Sequence, residues 1–432
     1  MIRIAPVGRA LAVVAATSLT LTACGGGGDT ATQTSQSAAP SSSAPAAASK
    51  GDGVLTLGTL LPQTGSLAFL GPPEIAGVSL AVKEINEAGG VLSKPVTKID
   101  TDSGDTTTNI ASQSVDKLIA QKADAIIGAA SSSVSESVID KITGAGVIQF
   151  SPANTSDKFS TINDRGLYFR TSPPDKLQGR VLGDLIVSDG NDTVGILAMQ
   201  DSYGTGLADQ VTKTVTDGGA QVVERVDYDP KAPDFSADVA KIKAKNPKGI
   251  VLIGFEETAK VIAELVKQGL PADEHKWYMV DGNTSNTNYV KMPKGTLTGV
   301  KGTIPGAAAP DDFQKKLKEI DPKLADFSYA PESYDAANLL ALAAESAKSD
   351  ASADIAAKLA EVSKGGEKCK SFKECADLLK AGKDIDYDGV SGPVEFNEVG
   401  DPAVATIGIY QYGDSNKYAT KALEYRTGNI AG

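Results

Sequence analysis

Residues 123–157 read ADAIIGAASSSVSESVIDKITGAGVIQFSPANTSD. Two short apolar runs, ADAIIGA (123–129) and GVIQFSP (146–152), flank a stretch with helical spacing from Val134 to about Thr143. Strand, helix and strand in close succession imply parallel strands, and their unbroken apolar character implies cover on both faces. The same alternation continues toward the N-terminus in VLTLGTLL (54–61), PPEIAGVSLAVKEINEAGG (72–90), VTKID (96–100) and TTTNIASQSVDKLIAQ (106–121). A second series follows in TVGILAMQ (193–200), AQVVERV (220–226), GIVLIGF (249–255) and KWYMVDG (276–282). Helical stretches such as DKLQGRVLGDLIVSDG (175–190) and EETAKVIAELVKQGLP (256–271) separate those strands. Two series predict an α/β protein of two doubly wound, Rossmann-like lobes, with ligands expected at the carboxyl ends of the strands. Residues 310–381 turn helix-rich, including 331–349, and the strand-like PVEFNE (393–398) and VATIGIYQYG (404–413) follow. Helices that return so late require several crossings between lobes. The expected division is 54–171 with 303–390 in one lobe and 172–302 with 391–432 in the other, around a hinged cleft.

Composition narrows the function. The 432 residues carry 42 Lys+Arg against 54 Asp+Glu, a formal charge of −12, which disfavours nucleic acid as a partner. The single histidine, His275, excludes every two-histidine metal motif and is read as structural. There is no Gly-x-Ser-x-Gly elbow and no dinucleotide Gly-x-Gly-x-x-Gly after a strand. Gly25–Gly28 lack the Gly-Lys-Ser/Thr ending of a phosphate loop. No cofactor is called for. Asp384, Asp386, Asp388, Gly389 and Glu395 match the calcium-loop pattern, but Pro393 and the strand-like VEF occupy the place of the exiting helix. Calcium is therefore disfavoured, and no metal site is assigned.

The N-terminus reads as an address. Arg3 and Arg9 precede the apolar run Ala10–Leu21, too short to span a bilayer and suited to a signal peptide over 1–23. It ends Leu21-Thr22-Ala23-Cys24, which resembles the bacterial lipobox, so Cys24 is the expected lipidation site. Residues 25–53 contain no Val, Leu, Ile, Met or aromatic and are read as a disordered tether. The remaining cysteines, Cys369 and Cys375, favour one disulfide in an oxidising compartment.

Three strand ends carry candidate site residues. Ser131, Ser132 and Ser133 stand before a helix start, where hydroxyls and free N–H groups can hold an anion or simply cap the helix. FSPANTSD (150–157) offers Asn154 and Thr155, in a place where such residues also make turns. Asp281 closes the strand WYMVDG, as a ligand group or as a turn aspartate. Together they would suit a small zwitterion, its carboxylate on the serines and Thr155 and its ammonium on Asp281.

At these residues the chain resembles the solute-binding proteins of branched-chain amino-acid ABC importers, which have the type I periplasmic-binding-protein fold. The matching pieces are LPQTGSLAFLGPPEIAGVSLAVKEINEAGGV (61–91), IIGAASSS (126–133), FSPANTSD, DSYGTGLA (201–208), ESYDAANLLALA (332–343) and YDGVSGPVEF (387–396). The resemblance implies that a serine of the triplet, Ser132 foremost, takes a ligand carboxylate, with Thr155 beside it. It implies that the Asn154 carbonyl and Asp281 take the ammonium, and that Tyr203 covers the ligand from the second lobe. Phe69 and Phe255 would shape the side-chain pocket. Glu256 stands where amino-acid binders often carry an apolar group; it is read first as a cap of the following helix, otherwise as a reader of a polar ligand group. The implied protein is a non-enzymatic, monomeric receptor, lipid-anchored on the outer face of the cell membrane. It would deliver an amino acid to ABC permease subunits. Alternatives are a binder of urea, an amide or an aromatic acid, a sensor without transport, and, furthest off, a secreted hydrolase.

Overall fold

The structure is a computed structural model that describes residues 51–430. The leader, Cys24 and most of the tether lie outside the described residues. The body begins at Gly53 and Val54, whose N–H groups both donate to the Asp350 carboxylate, at 2.6 and 2.9 Å.

The first lobe opens with β1 (Thr56–Leu61), α1 (Gly71–Glu87), β2 (Thr97–Asp102), α2 (Ile110–Ala120), β3 (Ala125–Gly128), α3 (Ser132–Gly144), β4 (Ile148–Ser151) and β5 (Tyr168–Arg170). These strands form one all-parallel sheet in the order β2-β1-β3-β4-β5. Alternate side chains of one strand enter different cores: Leu57 and Leu61 pack on one face, Leu60 on the other. Such two-sided burial explains the near-continuous apolar runs of the sequence.

The chain then crosses over and builds α4 (Asp175–Ser188), β6 (Thr193–Met199), α5 (Ser202–Asp217), β7 (Gln221–Tyr228), α6 (Ser236–Lys245), β8 (Gly249–Ile253), α7 (Thr258–Lys267), β9 (Lys276–Met279) and β10 (Lys301–Pro305). It returns to the first lobe with α8 (Asp311–Ile320), α9 (Ala330–Ala347), α10 (Ser352–Val362), β11 (Glu367–Cys369), α11 (Phe372–Lys380) and β12 (Ile385–Tyr387). Helices α8 and α9 pack on α1, closing the core that its stripe of Val78, Leu80, Ala81 and Ile85 begins. Finally β13 (Val404–Gln411) and β14 (Glu424–Asn429) complete a seven-stranded sheet, β14-β13-β10-β9-β8-β6-β7, with β13 antiparallel to both neighbours.

Strand β10 runs through the 302/303 position at which the sequence places a crossing, and it pairs in the seven-stranded sheet. Past 391, Val394 and Phe396 still pack in the first lobe's core. PVEFNE forms no strand; it makes only isolated bridges, Asp388 to Pro393 and Phe396 to Pro402. Two of the crossings are tied by a buried ion pair between Arg170 and Asp401, Nε to Oδ1 2.6 Å. Cys369 and Cys375 are disulfide-bonded, joining β11 to the first turn of α11. His275 is buried, its Nδ1 2.7 Å from the Pro247 carbonyl. Residues 385–387 form a strand where a calcium loop would coil, and Lys368 lies against Asp386 and Asp388 at 3.5 and 2.9 Å.

Candidate functional site

Strand β3 ends at Gly128, whose φ of +130° only glycine tolerates readily; a Cβ there would collide with the Leu60 carbonyl. The turn delivers Ala130 and Ser131 to the start of α3. Ser131 caps that helix, its Oγ accepting the Val134 N–H at 3.4 Å. The N–H groups of Ser132 and Ser133 find no acceptor among the described residues, so the positive end of α3 keeps two donors free for an anion. Ser132 is buried and accepts the Ser156 N–H at 3.3 Å. Both readings of the triplet thus hold at once: one serine caps, and the helix start still offers donors.

The 154–156 turn after β4 is held from below by Arg170, which is fully buried. Its Nη1 donates to the carbonyls of Asn154 and Ser156, at 3.1 and 2.9 Å, and its Nη2 to Ser160 Oγ. The Asp175 N–H adds a 2.6 Å bond to the Thr155 carbonyl. Thr155 is thereby fixed on the cavity wall, beside Asp175.

From the second lobe comes Asp281, just past β9. Three donors converge on it: Gln178 Nε2 at 2.9 Å and Tyr203 Oη at 2.8 Å on Oδ1, and Tyr329 Oη at 2.7 Å on Oδ2. Burial pushes its pKa above the usual carboxylate value, against those three hydrogen bonds, which favour the ion. The Tyr203 ring stacks on Phe255, centroids 5.6 Å apart.

These elements surround a small cavity. Leu67, Leu70, Ala130 and Ala153 form an apolar wall; Ser131, Ser132 and Thr155 stand at the α3 end; Tyr203, Phe255, Asp281, Gly282 and Tyr329 close the other side. Ser131 and Phe255 also border a larger outer cleft, where Glu256, Lys231 and Lys260 lie. Across the mouth the lobes touch. Ser133 Oγ donates to Asp201 Oδ2 at 2.9 Å and lies 3.1 Å from Ser202 Oγ, and Ser156 Oγ donates to the Ser202 carbonyl at 3.4 Å.

Of the residues singled out from sequence, Ser131, Ser132, Thr155, Tyr203, Phe255 and Asp281 line this one cavity. Ser133 faces the other lobe instead. The Asn154 carbonyl, expected to meet an ammonium, accepts Arg170 and Ser172, which uses both of its acceptor directions. The Asn154 side chain is equally engaged, with Ala129, Ala130 and Tyr168. Phe69 is half-buried in the 67–70 turn, and its neighbours Leu67 and Leu70 line the cavity in its place. Glu256 is exposed at the outer cleft. The buried acid at the start of α7 is Glu257, whose Oε1 accepts the Phe255 N–H and the Tyr228 hydroxyl, each at 2.9 Å. The sequence reading did not find Tyr329 or Gln178. Tyr329 sits at φ +59° in the turn before α9, far along the chain from every other site residue, and no motif marks it.

A family model described as periplasmic binding protein matches residues 54–417, nearly all of the two-lobed body. The chain belongs to the periplasmic binding protein family. It is similar to the leucine-, isoleucine-, valine-, threonine- and alanine-binding protein of Pseudomonas aeruginosa, at 26% identity over 358 residues, 81% of this chain and 88% of that protein. Among solved structures it matches the branched-chain amino acid transporter substrate-binding protein LivJ of Streptococcus pneumoniae in complex with isoleucine. That match has a TM-score of 0.70 and 21% identity, covering 87% of this chain and 99% of the other. It also matches an R. palustris ABC-transporter solute-binding protein in complex with benzoate, with a TM-score of 0.68 and 19% identity, covering 88% and 98%. The fold is thus the type I one, and the chain is a solute-binding protein of ABC-transporter type, extracytoplasmic by family, with relatives that bind branched-chain amino acids.

Proposed function

We propose that this protein captures an amino acid in the inner cavity by hinge closure and presents it to ABC permease subunits, without catalysing a reaction. The observation that carries the reading is the polarity of the cavity: free helix N–H groups and hydroxyls at one end, a buried aspartate at the other, and an apolar wall between them. A zwitterion with a hydrocarbon side chain satisfies all three. Its carboxylate would accept from Ser132, Ser133 and Thr155 donors at the start of α3, and its ammonium would meet Asp281. Closure brings Tyr203 and Phe255 over the ligand and removes water, so that the paired charges act in a low-dielectric space. Glu256 would meet only a ligand group long enough to reach the outer cleft. Cys24 would carry the lipid that keeps the receptor at the outer face of the membrane, as a monomer.

A second reading, an aromatic or simple carboxylate, draws on the three donors that Asp281 already has and on the stacked Tyr203–Phe255 wall.

The test is a thermal-shift panel on protein freed of carried-over solute by unfolding and refolding. The panel holds the twenty amino acids, urea, short amides, benzoate and 4-hydroxybenzoate. A ligand at about 100 times its Kd adds roughly 2.7 kcal/mol. Stabilisation by amino acids alone supports the zwitterion; stabilisation only by uncharged solutes or benzoates overturns it. Loss of uptake of the same solute on deleting the gene supports transport, and unchanged uptake refutes it. Cys24→Ala should move the protein from the membrane fraction to the soluble one; retention would remove the anchor.

A further inference from the structure

Tyr329 is a wall shared with a second small cavity, bounded by β10, the 325–332 turn and the β13–β14 region. Its chemistry rests on Asp326, Phe327, Tyr329, Glu332, Tyr410 and Tyr418. Glu332, in the first turn of α9, is 2% exposed, and among the described residues its carboxylate is reached by its own backbone N–H but by no side-chain donor. Its Oε1 lies against Gly306, φ +103°, where any Cβ would collide with it. A glycine at that point leaves the carboxylate its place on the cavity wall. Asp326 accepts from Ser328 at 2.7 Å and Tyr418 at 3.1 Å. Behind Glu332, on α1, Glu74 is fully buried with neither carboxylate oxygen hydrogen-bonded. Among the described residues, no Lys or Arg lines the cavity.

An acid this deep with only its own backbone N–H as donor is costly unless it is protonated or paired with a cation. The groups facing Glu332 are Glu74 from α1, Asp335 from its own helix, Asp326 and Tyr329 from the preceding turn, and Tyr410 from β13; none is basic. Burial raises Glu332 to about 8, so a proton holds the charge at neutral pH and a cation would take that proton's place. The described residues hold no group of three His, Cys, Asp or Glu able to bind a metal, which a divalent ion's oxygen-rich shell would require. Four aromatic side chains on the wall suit instead a weakly hydrated cation, which ring faces attract.

We propose that this cavity binds a small organic ammonium ion, of methylammonium to tetramethylammonium size, with Glu332 as its counter-charge and the aromatic side chains as its walls. The proposal is independent of what the inner cavity binds, because its test contains no amino acid.

The experiment measures thermal stabilisation and calorimetric binding of methylammonium and tetramethylammonium chloride at pH 8.5, against sodium and potassium chloride at equal ionic strength. The expected result is a saturable response to at least one ammonium salt that the alkali salts do not give. Its affinity should fall about tenfold for each pH unit below 8, as the proton competes. Glu332→Gln, which keeps the shape of the side chain but cannot take a negative charge, should weaken binding by tenfold or more, about 1.4 kcal/mol. Asp326→Asn serves as a second variant and should weaken it as well. An equal response to potassium, no ammonium-specific response, or full binding by Glu332→Gln would overturn the proposal.

Discussion

Asp281→Asn removes one charge while keeping the shape of the side chain that the zwitterion reading depends on. A carboxylate has about four acceptor directions. Gln178 and Tyr203 occupy Oδ1 and Tyr329 occupies one side of Oδ2, so one direction is left for a ligand ammonium. Removing one partner of a buried ion pair costs about 3–5 kcal/mol, here charged to binding because the pair exists only in the complex. That corresponds to roughly 150- to 5000-fold in Kd. Asparagine also turns one acceptor into a donor, which must face either Tyr329 or the Gln178–Tyr203 pair, so the loss should fall toward the upper end. The assay is calorimetric titration of wild type and variant with the best amino acid from the panel and, in parallel, with 4-hydroxybenzoate. Amino-acid affinity within about threefold of wild type, a difference under 0.7 kcal/mol, would remove Asp281 as the ammonium partner. Tighter 4-hydroxybenzoate binding in the variant, with amino acids silent in both proteins, would transfer the site to the second reading.

Tyr329→Phe frees Oδ2 and removes a hydrogen bond to a charged group. It should lower stability by about 1.5–3 kcal/mol in urea titration while tightening binding of an amino acid; weaker binding would mean that the tyrosine itself touches the ligand. Ser133→Ala removes the hydroxyl that reaches Asp201 across the cleft and should speed ligand release in stopped-flow traces with little change in the folding midpoint, whereas an unchanged release rate would deny the contact a role in closure. Glu332 should make the protein less stable as pH rises. Its folded value of about 8 lies above the unfolded one, the native state holds more protons between the two, and stability therefore falls from pH 4.5 to 8 by up to about 5 kcal/mol from this group. Glu332→Gln should remove that decline, and urea midpoints at pH 5 and 8 that fall equally in both proteins would refute it. Reduction of the Cys369–Cys375 bond, which closes a short loop, should cost about 2 kcal/mol in the same titration.

The alternation of strands and helices was legible because each element buries a continuous or periodic set of apolar residues. VLTLGTLL became β1 and ESYDAANLLALA became most of α9. Strands β5 and β10 were not, since YFR is three residues long and KGTIP opens with a polar pair and ends in proline. PVEFNE has strand composition but lies in a crossing, where no continuous neighbour is available to pair with. Six candidate site residues were brought to one cavity because they end strands of parallel sheets, a position the topology predicts. Phe69 was chosen over Leu67 and Leu70 because the turn that holds all three has no period from which orientation can be read. Glu256 does not cap α7, which starts at Thr258 with no side-chain cap; a shift of one residue at the helix start turns Glu257 inward and leaves Glu256 exposed. Tyr329 depends on a chain return that no local pattern records.

The pairing of α1 with α9 bears on how the molecule comes to exist. The apolar stripe of α1 is covered by a helix that begins about 240 residues later. At roughly 5–20 residues per second, a chain emerging N-terminus first exposes that stripe for about 12–50 seconds. The seven-stranded sheet has most of its strands during that interval and can assemble early, although it waits for β13 and β14. The first lobe's sheet must stand half-covered until α8 and α9 appear. An N-terminal fragment ending near residue 300 should therefore bind a hydrophobic dye strongly, and one ending near residue 350, which adds α8 and α9, should bind less of it.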